Sequence, residues 1–132
     1  MPGCVLRASG DHFEPKVFLD DSPFVPCSVF RKGERKSENR SWSSSGFTVV
    51  VSDASGDDWV QQIQDAIEFL RAHNDEVARL MKFEDLESVD LDFAVNRKNG
   101  FLQSSHLPPA LLTLAGALAI GIEMSIYGED ES

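Results

Sequence analysis

The clearest pattern in the chain is an alternation. Val89, Leu91, Phe93 and Val95 are separated by Ser88, Asp90, Asp92 and Ala94. A period of two with one polar row predicts a strand, one face on a core and one in water. Phe47 to Ser52 is β-branched and aromatic, which predicts another strand. Cys4 to Ser9, ending at Gly10, and Cys27 to Arg31 predict two shorter ones. Leu118, Ile120, Ile122, Met124 and Ile126 alternate again and predict a last strand.

Elsewhere the period is helical. Trp59, Val60, Ile63, Ala66, Ile67 and Leu70 recur at spacings of three and four, the stripe of an amphipathic helix on a sheet. Asp57 and Asp58 precede it, where negative charge suits a helix N-terminus. His73-Asn74 interrupts the pattern, and Val77, Leu80, Met81 and Phe83 form a second apolar face. One kinked helix and two helices fit this equally. Glu14-Pro15 opens a short helix burying Val17, Phe18 and Leu19, with Asp20 to Pro23 as its stop. Leu107-Pro108-Pro109 opens another, through Leu111, Leu112, Leu114 and Ala115, and Gly116 is placed to end it. Gly33 to Ser45 is polar, so the strands around it predict a hairpin with a long arm.

The order of elements predicts an α+β fold. The first six form a split β-α-β-β-α-β pattern, a ferredoxin-like sheet with helices on one face. A C-terminal helix and strand extend it. One α+β domain is expected over 1–127, with an acidic disordered tail over 128–132.

Four stretches carry a family resemblance. Ser9-Gly10 precedes Glu14-Pro15, and Pro26 leads into Val29-Phe30-Arg31-Lys32-Gly33-Glu34. Trp42 follows a basic arm. Leu107-Pro108-Pro109-Ala110-Leu111-Leu112 then runs through Gly116 to Ile122, Ile126 and Tyr127. Together these resemble the small bacterial family catalogued as domain of unknown function 4279, across about Cys4 to Tyr127. The chain departs from the family pattern at Pro108-Pro109, where one proline is usual. The resemblance implies a compact α+β fold and no catalytic residues.

Composition narrows the function. The 132 residues hold 12 Lys and Arg against 22 Asp and Glu, a net charge of −10. That field disfavours nucleic acid, because phosphate contacts need clustered cations. Met1 to Arg7 lacks a signal peptide's apolar stretch. Leu107 to Ile122, the most apolar segment, is too short and broken to span a bilayer, so a cytoplasmic protein is expected. Cys4 and Cys27 each sit in an apolar run and lack metal-site spacing; two small buried thiols are expected, and a bridge between neighbouring strands remains open.

The charge is unevenly placed. Arg31, Lys32, Arg35, Lys36 and Arg40 gather before Trp42, a candidate anion site, though Glu34 and Glu38 interleave. Against this stands an acidic stretch from Asp53 to Asp92. Asp65, Glu68, Asp75, Glu76, Asp90 and Asp92 are its candidate partner-binding residues. Asp90 and Asp92 share a strand face about 7 Å apart, yet no third ligand stands at set spacing, so no metal site is assigned. No catalytic motif surrounds His12, His73 or His106, and no cofactor is expected.

The expected function is therefore a non-enzymatic protein-binding module. One version is an immunity-type protein masking a basic partner through steered encounter. One alternative is a small-ligand sensor or enzyme near His12, Glu14 and the basic arm. Another is a homo-oligomer built through the sheet.

Overall fold

The computed structural model describes residues 2–128. The tail expected over 128–132 lies, but for Gly128, outside them. Strand β1 (Cys4–Gly10) leads to helix α1 (Pro15–Asp20) and strand β2 (Ser28–Phe30). Two short strands, β3 (Arg35–Ser37) and β4 (Arg40–Ser41), precede β5 (Ser45–Ser52). Helices α2 (Trp59–Ala72) and α3 (Asn74–Met81), strand β6 (Ser88–Asn96), helix α4 (Pro109–Ala117) and strand β7 (Gly121–Tyr127) complete the order.

Five strands form one sheet in the order β2-β5-β1-β6-β7, while β3 and β4 make a ribbon of their own. The sheet is mixed: β1 pairs antiparallel with β5 and β6, β2 pairs antiparallel with β5, and β7 lies parallel to β6. A parallel neighbour needs a crossover, and α4 supplies it. The polar connection between β2 and β5 is thus a structured arm.

Alternation along the strands decides which face is covered. Cys4, Leu6 and Ala8 of β1 are buried, as are Phe47 and Val49 of β5 and Val89, Leu91, Phe93 and Val95 of β6. Ile63, Ala66 and Leu70 of α2, Val77 and Leu80 of α3, and Leu111 and Ala115 of α4 join them in one core. At one end Phe18 stacks on Phe47 with centroids 5.7 Å apart and meets Phe83 edge-on at 5.3 Å. Each fully buried Phe stabilises by about 1.5–3 kcal/mol, so this cluster anchors α1 to the sheet.

Ser52 departs from the alternation. Cys4 pairs with Ser52 and Val5 with Val50, which leaves Val51 as a bulge residue. The bulge turns Ser52 toward α2, where its Oγ donates to Asp65 at 2.6 Å.

One boundary that the sequence pattern left open is decided, and two others differ from it. His73 separates two helices: its N–H closes α2 on Phe69 O, and its carbonyl accepts the Val77 N–H that opens α3. Helix α4 passes Gly116 and ends in a Schellman motif, with Ile120 N–H bonded to Ala115 O and Ala119 N–H to Gly116 O. Ala119, at φ 58°, takes the left-handed position that glycine favours. The last strand starts at Gly121, so Leu118 and Ile120 are buried from the turn before it.

Candidate functional site

The second face of the sheet carries Val5, Arg7 and Ser9 of β1, Thr48 of β5, Ser28 and Phe30 of β2, and Asp90, Asp92 and Ala94 of β6. Among the described residues no helix packs here, since the buried side chains of the helices join the core on the opposite face. A cavity of about 290 Å³ opens on this face. Its floor is Val5, Arg7, Thr48 and Ala94, and Phe30, Trp42 and Tyr127 are among its walls.

The arm builds one wall. Trp42 stacks on Phe30 with centroids 4.1 Å apart, and the Lys36 ammonium stands over the indole at 4.5 Å. Phe30 fills one face of the indole, which leaves the other for the ammonium. Trp42 therefore anchors the arm to the sheet edge. Gly46 makes room for this wall, since a Cβ there would stand 2.8 Å from the Phe30 ring and 2.0 Å from Ala8 O.

Two polar groups cross the floor. Arg7 Nη2 donates to Asp92 Oδ2 at 3.0 Å, and Ser125 Oγ donates to Asp92 Oδ1 at 2.7 Å. Glu123 Oε2 stands 3.8 Å from Arg7 Nη1. Beside them Thr48 Oγ1 lies 2.6 Å from Ser28 Oγ and 3.0 Å from Cys27 Sγ. Both cysteines are free; Cys4 is buried on the covered face as expected, but Cys27, in the segment before β2, is exposed and not buried. Burial, with Asp92 and Asp65 adding to it, pushes the Cys4 thiol pKa up, so that group stays a neutral thiol.

The acidic candidates fall on two layers. Asp90 and Asp92 project from the uncovered sheet face. Asp65 and Glu68 lie on α2, and Asp75 and Glu76 on α3, across the sheet from them. Three are already engaged: Asp65 with Ser52 and Gln61, Glu76 with Arg79, and Asp92 with Arg7. The Arg79 guanidinium holds the Glu76 carboxyl below the usual carboxylate range.

The basic arm is also divided. Arg31 pairs with Glu14 at 3.5 Å and Lys32 with Asp11 at 3.6 Å, which ties the arm's base to the loop before α1. Lys36 covers Trp42, while Arg35 and Arg40 sit exposed on the ribbon with no ion pair among the described residues. His12 is exposed in that loop and does not line the cavity.

Sequence reasoning missed Arg7, Cys27, Ser28, Thr48 and Tyr127 as neighbours. They come from β1, the segment before β2, β2 itself, β5 and β7, and only the strand register joins them. One signal was present: Val5 and Arg7 alternate with the buried Cys4, Leu6 and Ala8.

A family model described as domain of unknown function matches residues 2–129. The chain belongs to the DUF4279 family. The match spans every strand that contributes to the cavity, and the arm as well. No curated protein and no solved structure matches the chain. In this DUF4279 chain, no group of three or more His, Cys, Asp or Glu side chains among the described residues could hold a metal ion. No helix among them is long and apolar enough to cross a membrane.

Proposed function

We propose that the chain is a non-enzymatic binding protein whose working surface is the uncovered face of the sheet. The cavity floored by Arg7 and Thr48 carries this reading. Apolar and aromatic walls with a few convergent polar groups are the usual make-up of a binding site. Binding is favoured over catalysis because no imidazole lines the cavity. His73 packs against Phe69 and Phe24, and His106 borders a separate groove beside α2. The reading takes the scaffold as ferredoxin-like, supported by the antiparallel order β2-β5-β1-β6.

Backbone amide shifts during a small-molecule fragment screen test this proposal. Binders should move Arg7, Thr48, Asp92 and Ala94 together. Shifts confined to the α2–α4 groove around Trp59 and Pro108 would reject it.

A second reading is a basic protein partner of the immunity type. Glu68 and Asp75 support it, both exposed on the helical layer without an ion pair among the described residues. Charge reversal of both should slow association with such a partner, most at low salt. An unchanged rate with the neighbouring gene's product would remove it. Self-association is supported by edge strand β7, where Met124, Ile126 and Tyr127 are exposed. Sedimentation across concentration tests that version.

A further inference from the structure

We infer that the open-face cavity takes a small, flat molecule bearing a carboxylate; this rests on the sheet-face reading above. The cavity's balance of donors and acceptors points there. Thr48, Ser28 and Cys27 can each donate or accept and make two contacts with one another, so they adapt to a ligand and leave its selection to Arg7, which can only donate. The Arg7 guanidinium has five N–H hydrogens, and its one hydrogen bond among the described residues goes to Asp92. The one carboxylate in the cavity lining, Asp92, already accepts from Arg7 and Ser125. A site with surplus donors and an engaged acceptor selects an acceptor-rich ligand.

Charge agrees. The Arg7 guanidinium lies in the cavity floor and is the cation in its lining. Glu123 is the competitor, but at 3.8 Å and largely exposed it holds Arg7 loosely. A ligand carboxylate can take that place on the guanidinium fork. The walls then define the rest of the ligand. Phe30, Tyr127 and the edge of the Trp42 indole, with Val5 and Ala94, suit a flat apolar body. A volume of about 290 Å³ has room for one ring and its head group, about ten waters' worth of space.

Cys27 lines the cavity and serves as the reporter. The experiment measures its alkylation rate on the whole chain with benzoate, benzyl alcohol and benzylamine, one ring with three head groups. Benzoate should slow alkylation about tenfold at about ten times its dissociation constant. Benzyl alcohol and benzylamine should protect far less. Thr48→Val, which removes a donor at nearly constant volume, should weaken protection by benzoate. Arg7→Gln should abolish it. The head-group comparison on the unaltered chain needs neither variant to fold. Equal or better protection by the alcohol or the amine overturns the carboxylate assignment and leaves the binding surface in place. No protection by any of the three also overturns it, and the amide-shift screen then decides the surface separately.

Discussion

Arg7 bonds to Asp92 at 3.0 Å and not to Asp90, the residue directly opposite it in the strand register. The choice is diagonal. Ser125 on β7 holds Asp92 from the other side, while the Asp90 carboxylate lies against Gly121, where a Cβ would stand 2.2 Å from its Oδ1. The pair thus links three neighbouring strands across the floor of the cavity. Arg7→Gln leaves the Asp92 carboxylate half-satisfied at a site where its side chain is 13% exposed. The expected loss is about 1–2 kcal/mol in urea unfolding, limited by solvent around the guanidinium. Asp90→Asn, which breaks no ion pair among the described residues, should cost less than half of that.

The two thiols should differ in reactivity. Cys4 is fully buried with its pKa raised, and Cys27 is exposed. Iodoacetamide on the native protein should add one label per chain, at Cys27, and two in denaturant, read by mass spectrometry. Rapid native labelling of Cys4 would show that β1 opens readily.

Arg79 bolts α3 to α1. It lies 4.1 Å from the Phe18 ring, donates to Phe18 O, and pairs with Glu76. Arg79→Ala should cost about 1–2 kcal/mol, mostly through the lost ring and carbonyl contacts. Glu76→Gln should cost less, about 0.5 kcal/mol at pH 7. The sign of its pH dependence follows from the lowered Glu76 pKa. That contribution is complete above the unfolded pKa and is lost as pH falls through the lower folded value. The gap between variant and parent should therefore close on acidification, beginning near about pH 4.3, the ordinary Glu value.

Ala119 holds a backbone position that costs an L-residue about 1 kcal/mol or more. Ala119→Gly should raise stability by about 0.5 kcal/mol, after the greater entropy of glycine in the unfolded chain is subtracted. An unchanged or lower midpoint in thermal unfolding would mean that Leu118 and Ile120, not the dihedral angle, dominate this turn.

Much of the fold was legible because alternation and helical spacing are local signals. Val89 to Val95 read as one strand and are one, and the His73 break corresponds to a true helix end. The Gly116 stop misled, because the Schellman turn placed its left-handed residue three positions later, at Ala119. The site was largely illegible. Trp42 was visible beside its cations, but its partner Phe30 is set by the path of the arm. Arg7, Thr48 and Tyr127 become neighbours only through strand pairings far apart in sequence. The acidic run looked like one surface, yet Asp90 and Asp92 face away from the helices that carry Glu68 and Asp75.

The most direct test of the uncovered sheet face as a carboxylate-binding surface is a crystal structure of the protein grown with benzoate. The account predicts ligand density between Trp42 and Tyr127, with the carboxylate on Arg7 and Thr48. Density instead in the groove between α2 and the start of α4, with an empty sheet face, would contradict it.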